Sequence, residues 1–247
     1  LGNPIDFIKL KKISKKFKIP VIDDSCETLG SKYKNNLYGN NFDITVWSFD
    51  QGKTITTGEG GMITSNNRKL YNYCKYYIDH GHENKHKVSR AVDKIKVVGF
   101  NFRMTELQAA VGLAQLKKIN QIIKDQKKNY MIYLAIFQKL NIKIRPLPNG
   151  YEPNYDTIIV QLNSKYIATK FINYLKKNNI YTKIIPDALN WHYVKNWKHL
   201  KKNMPKFNDY LKTDKILSKC ISLPIFGKQK IKILKKNCRL INDFNFN

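Results

Sequence analysis

The sequence predicts an α/β fold, a partial large α/β/α domain followed by a smaller C-terminal α+β domain. Three observations carry this. Helix-period stretches and short apolar strands alternate through the first 65 residues, the rhythm of a layered sheet. Carboxylates, a serine and a lysine fall at the ends of those strands, where open α/β sheets bind ligands. Pro146 and Pro148 with Asn149-Gly150 then interrupt the pattern before a second set of strand and helix signals begins.

The elements follow in order. The chain opens on Leu1 with no initiating Met, and Phe7, Ile8, Leu10, Ile13 and Phe17 already recur at helical spacing, which predicts a piece of a longer protein. Pro20 ends that helix. Val21-Ile22 reads as a buried strand delivering Asp23 and Asp24 to its carboxyl end, and Ile44 to Phe49 as a second strand running into the loop Asp50-Gln51-Gly52-Lys53. Gly58-Glu59-Gly60-Gly61 leads to a strand at Met62-Ile63-Thr64, after which Ser65 or Asn66 caps a helix bearing Leu70, Tyr73, Cys74 and Tyr77. Residues 79–96 are polar and aperiodic, a loop. Thr105-Glu106-Leu107-Gln108 fits a capping box, opening a helix to about Ile119 with Leu107, Val111, Ala114 and Leu116 near one face. A second helix covers roughly Gln121 to Leu140. Past the Pro/Gly break come a strand over Thr157–Leu162, a helix from Ser164 and a strand over Tyr181–Ile185. Residues 1–122 are thus assigned to the large domain and 123–247 to the small one.

Composition narrows the function. With 42% hydrophobic and 12% aromatic residues in 247, the chain is globular. Its 45 basic against 18 acidic residues give a net charge of +27, which points first to a polyanion. Only Arg68, Arg90, Arg103, Arg145 and Arg239 are arginines, however, and the lysines are spread over nearly every helix. A nucleic-acid stripe would be clustered and would use arginine's bidentate fork, so a nucleic-acid partner is not expected. Cys26, Cys74, Cys220 and Cys238 form no CxxC pair and no zinc spacing, and read as reduced thiols. No metal is expected. No apolar run approaches the roughly 18 residues of a membrane span, and no signal-peptide core is present, so a cytoplasmic protein without a membrane partner is expected.

Asp24 precedes Lys53 by 29 residues and Ser48 precedes it by 5, which brings three complementary groups to neighbouring strand ends. Gly52-Lys53-Thr54 is not a phosphate-binding Walker loop, because that motif needs glycine where Trp47 stands. A bare lysine is ordinarily a solvated one; here the context differs. Glu59 in the glycine-rich turn is expected to bond loop amides, and Asp23 to be a solvated strand-end charge. His80 and His82 are either solvated or in touch with substrate.

Ser48 through Gly61 resembles the cofactor-lysine segment of the DegT/DnrJ/StrS family of pyridoxal-phosphate (PLP) sugar aminotransferases. Val21 through Gly30 resembles the strand that bears the family's pyridine-binding aspartate, and Gly99 through Met104 its Asn-x-Arg-Met motif. The resemblance implies a type I PLP-dependent transferase fold, like that of aspartate aminotransferase. It implies that Lys53 is the catalytic lysine, whose ε-amino group condenses with the PLP aldehyde and later shuttles a proton. Asp24 is then the carboxylate facing the ring nitrogen, Ser48 a phosphate ligand and Asn101 a phosphate contact given by the other subunit, so that the site is shared in a homodimer. Glu27 stands beside the cofactor ring where many members have Gln or His. The substrates implied are a keto or aldehyde sugar and an amino-acid donor, glutamate, in the synthesis of cell-surface polysaccharide or lipopolysaccharide.

Two related functions are weighed alongside. A dehydratase of the family has His in place of the cofactor lysine, against which Lys53 argues; a non-catalytic relative is the other. The family's Gly/Ser-rich phosphate turn and the aromatic ring that stacks on PLP do not stand in this sequence. Asn190 through His199, dense in aromatic and basic groups, resembles the stretch found in the branch that makes the 8-amino form of the lipopolysaccharide sugar Kdo. It implies substrate contacts from Trp191, His192 and Lys195, with His192 and Lys195 facing an acid group, alongside His82. A nucleotide-linked 4-keto-6-deoxyhexose is the alternative substrate.

Overall fold

The computed structural model describes residues 2–39, 41–197, 199–200 and 210–246. The chain divides into two compact units, Leu1–Gln121 with Pro148–Asn154, and Ile122–Leu147 with Tyr155–Asn247.

In the first unit, helix α1 (Phe7–Phe17) starts where the Asp6 carboxylate accepts a hydrogen bond from the Lys9 amide at 3.1 Å, and ends at Lys18 in the left-handed region. Strand β1 (Ile22–Asp24) follows, then the short hairpin β2 (Lys32–Tyr33) and β3 (Asn36–Leu37), and then β4 (Ile44–Ser48) and β5 (Gly61–Thr64). The sheet order is β1-β4-β5; β4 runs parallel to β1 and antiparallel to β5. A parallel pair needs a crossover, and the stretch 25–43, which holds β2 and β3, provides it. Thr45 and Trp47 are the buried positions of β4, as the two-residue period of a strand requires. Gly39, at φ +107°, leaves room for the indole: a Cβ there would lie 2.4 Å from Trp47 Cη2.

Helix α2 (Arg68–Tyr77) is capped by Asn67, whose side chain accepts from the amides of Lys69 and Leu70. Neither Ser65 nor Asn66 is the cap. The Ser65 hydroxyl instead donates to the Asp43 carbonyl and accepts from the Asn67 amide, which sets up the following turn. Helix α3 (Glu106–Leu116) carries the expected capping box, with Thr105 Oγ1 accepting from the Gln108 amide and Gln108 Oε1 from the Thr105 amide. Its apolar residues are open: Leu107 is 82% exposed and Leu113 61%.

Helix α4 (Ile119–Lys139) contains the division between units. Strand β6 (Lys143–Ile144) belongs to the second unit, whereas β7 (Tyr151–Glu152) belongs to the first, where it pairs with β2. In the second unit, β8 (Thr157–Gln161), α5 (Lys165–Lys177), α6 (Leu189–His192), α7 (Leu211–Leu217), β9 (Cys220–Pro224) and α8 (Ile231–Asp243) follow, with sheet order β6-β8-β9. Ile158 and Val160 of β8 and Ile221 and Leu223 of β9 alternate into a core with Phe137 of α4, Phe171 of α5 and Ile241 of α8. Tyr181–Ile185 is not a strand. Lys183 N donates to the Ser222 carbonyl and Ser222 N to the Ile185 carbonyl, but Ile184 sits at φ +66° and breaks the ladder between them.

Candidate active site

The pairing of β1 with β4 sets Asp24 opposite Val46, so the carboxyl ends of both strands open on the same edge. Alternation along β1 separates the two aspartates. Asp23 is buried at 8% exposure, where the Ser25 hydroxyl donates to it, and burial pushes its carboxyl above the usual range. Asp23 is therefore not the solvated charge expected of it. Asp24, on the opposite face, is exposed, and the Cys26 side chain beside it holds its carboxyl below the usual range. The Cys26 amide donates to it at 3.2 Å.

The turn after β4 is built locally. Asp50 Oδ1 accepts from the Gly52 amide at 2.7 Å, and the Asp50 carbonyl accepts from the Lys53 amide at 3.1 Å. Ser48 Oγ accepts from the Asp50 amide at 3.3 Å, and a hydroxyl so placed still has its own proton to donate. Lys53 Nζ forms an ion pair with Glu27 Oε1, and both side chains are largely withdrawn from water, at 21% and 17% exposure. Behind them stands Asn154, which sequence reasoning missed. Its amide donates to the Glu27 carbonyl at 3.3 Å and to Thr54 Oγ1 at 2.9 Å. No local signal announces that residue, since it lies 100 positions beyond Thr54.

At its last two glycines the glycine-rich turn has little room for side chains. A Cβ on Gly61 would meet the Trp47 carbonyl at 2.7 Å, and one on Gly60, at φ +156°, would meet Thr57 Oγ1 at 2.4 Å. At Glu59 it is the backbone carbonyl that is bonded, accepting from Thr57 Oγ1 and Gln108 Nε2.

Asn101, His80 and His82 sit on the loop between α2 and α3. Asp79 and Asn101 form an isolated antiparallel bridge, and the His80 amide donates to the Phe100 carbonyl. Arg90 and Arg103 both donate to the buried Asp79 carboxylate, a hub that sequence reasoning also missed. His80 is exposed; His82 Nδ1 lies 3.7 Å from Asp93 Oδ2. The structure thus brings Asp24, Glu27, Ser48 and Lys53 together at one strand edge, with Asn101 and His82 on a separate loop of the same unit.

Trp191, His192 and Lys195 belong to the second unit. Trp191 is 80% exposed and His192 is exposed, whereas Lys195 pairs with Asp214, which also accepts from Tyr193 Oη at 2.9 Å. Lys198, in the same aromatic and basic segment, lies outside the described residues.

Comparison with known proteins bears on what this strand edge belongs to. The sequence profile of the DegT/DnrJ/EryC1/StrS aminotransferase family matches residues 1–235. The chain belongs to that family. An uncharacterized protein of Methanocaldococcus jannaschii is 32% identical over 238 residues, covering 92% of this chain and 60% of the relative. GDP-perosamine synthase of Escherichia coli O157:H7 is 38% identical over 135 residues, 53% of this chain and 35% of the enzyme. In fold, the chain is similar to the putative sugar aminotransferase Spr1654 of Streptococcus pneumoniae in its PLP form, with a TM-score of 0.81 and 21% identity over 97% of this chain and 64% of that one. The chain therefore spans less than two thirds of the length of these relatives. Among the described residues no helix is long and apolar enough to cross a membrane, and no cluster of His, Cys, Asp and Glu could hold a metal ion.

Proposed function

We propose that this chain carries the cofactor lysine of a PLP-dependent sugar aminotransferase, and that the amino group moves from an amino acid such as glutamate to a nucleotide-linked keto sugar. The observation that carries the reading is the meeting of Lys53, Glu27 and Asp24 at one strand edge, in a chain of an aminotransferase family.

The donor set fits PLP. An amine suits the aldehyde, a carboxylate held in its ionised form suits the ring nitrogen, and a hydroxyl at a strand end suits the phosphate. When bound, PLP supplies an electron sink for the charge left on the carbon that carries the amino group. Lys53 Nζ takes and returns the proton at that carbon. Asp24 holds a proton at the ring nitrogen, and Ser48 Oγ donates to a phosphate oxygen while still accepting from Asp50 N. Asn101 supplies a further phosphate contact in the partner copy of a homodimer.

The likeness to GDP-perosamine synthase favours a nucleotide-linked substrate, and a cytoplasmic setting in cell-surface polysaccharide or lipopolysaccharide synthesis suits it. The 8-oxo-Kdo reading asks Lys195 to meet a carboxylate, a position Asp214 already fills. Borohydride reduction of the complete protein with PLP, followed by peptide mapping, tests the assignment: label on Lys53 is expected, and label only on other lysines overturns it. Release of 2-oxoglutarate from glutamate, with a nucleotide-linked 4-keto-6-deoxyhexose set against oxidised Kdo, tests the substrate; turnover with Kdo alone would reverse the choice.

A further inference from the structure

The geometry points to Glu27 as a positioning residue for Lys53: its carboxylate holds the ε-amino group whenever that group is not covalently occupied, and so restrains its capture of an aldehyde. The inference rests on the reading of Lys53 as the cofactor lysine.

Both ends of the pair are fixed from behind. Asn154, buried at 4% exposure, bonds the Glu27 carbonyl and the Thr54 hydroxyl with one amide, so the residue beside Lys53 and the backbone of Glu27 share a single anchor. The turn that presents Glu27 is closed by Thr28, whose amide and hydroxyl both donate to the Ser25 carbonyl, at 3.0 and 3.2 Å. Two carboxylates of β1 and its turn act on the Lys53 amine: Glu27 in direct contact and Asp24 through its charge. Burial, then the Asp24 carboxylate, pushes the Cys26 thiol up to about 12, so it stays neutral. Asp24 accepts from the Cys26 amide. Glu27 is left as the carboxylate that Lys53 touches.

Capture balances as follows. One proton of the ammonium goes to solvent, the nitrogen bonds to the aldehyde carbon, and the aldehyde oxygen leaves as water with the remaining two; nothing is oxidised or reduced. Only the neutral amine has the lone pair for this, and a carboxylate in contact favours the charged ammonium. Glu27 therefore restrains capture, and its neutral isostere releases that restraint.

The full chain, native and with Glu27→Gln or Glu27→Asp, is incubated with PLP over a pH series, quenched with borohydride at timed intervals and mapped by mass. Expected is a several-fold faster labelling of Lys53 in Glu27→Gln at the acid end, its rate profile lying at lower pH, with Glu27→Asp displaced less in the same direction. A neighbour that only supports the fold would change amplitude or melting without moving the profile. Superimposed profiles overturn the role of Glu27 and leave Lys53 as the cofactor lysine. Absence of label from Lys53 in the native chain overturns the assignment itself.

Discussion

The Asp79 carboxylate accepts two hydrogen bonds from the Arg90 guanidinium, at 3.2 and 2.6 Å, and closes the first half of the loop that carries Asn101. Arg103 Nη1 donates to the same carboxylate at 2.6 Å and closes the second half. Burial alone would raise the Asp79 carboxyl; the bonds from Arg90 and Arg103 outweigh it and hold the group well below the usual range. A carboxyl so lowered stabilises the fold fully above its unfolded value, about 4, and the contribution fades as the pH falls below that. Asp79→Asn is therefore expected to lose about 1–3 kcal/mol at neutral pH, since it leaves two cations facing a neutral amide. Urea midpoints of native and variant should converge as the pH is lowered; a gap that stays constant would exclude the ion pairs as its source.

Asn154→Ala removes both bonds that hold the Glu27 and Thr54 segments together. A loss of about 1–3 kcal/mol is expected, from a buried carbonyl and a hydroxyl left without that donor. Thermal melting measures it, and an unchanged midpoint would show that water replaces the amide.

Asp24→Asn tests the carboxylate assigned to the ring nitrogen. Because Asp24 is exposed and Asn keeps an oxygen for the Cys26 amide, the urea midpoint should hold within about 0.5 kcal/mol. Turnover of the complete enzyme should fall by orders of magnitude, because a neutral amide does not keep the ring nitrogen charged. Near-native 2-oxoglutarate release would remove Asp24 from the site.

Mixing Lys53→Ala with Asn101→Ala subunits of the complete protein tests the shared homodimeric site. Each alone should be inactive, and the mixture should regain part of the activity through dimers with one intact site. Failure to recover, with subunit exchange verified by native mass spectrometry, would place both residues in the same copy's site.

What could be read from the sequence had local causes. The Thr105 to Gln108 box is a four-residue chemistry and appears as written, and the β-branched run of β4 sits beside β1 with its serine at the exit. The aspartate pair shows the limit of such reading: a two-residue period says that Asp23 and Asp24 face opposite ways, but which one is buried depends on Ser25 and on the crossover folding over it. The cap of α2 was missed by one residue because Ser65, Asn66 and Asn67 can all cap, and the bond from Ser65 to the Asp43 carbonyl decides among them. Asn154 and the Asp79 hub depend on partners distant along the chain, and no periodicity records them. Tyr181–Ile185 has strand composition throughout, yet one left-handed residue, Ile184, denies it a ladder.

The return of Pro148–Asn154 to the first unit bears on how this protein is made. Tyr151 Oη bonds Ser31 Oγ across 120 residues, and β7 completes the edge of β2. A ribosome delivers the chain from its amino end, so the Lys53 pocket stays without its rear anchor until residue 154 has cleared the exit tunnel. Closing so long a loop is slow. A nascent chain halted in the middle of α4 would hold Lys53, Glu27 and Asp24 without the Asn154 bonds that tie the Glu27 and Thr54 segments together, and with the β2 edge still unpaired by β7.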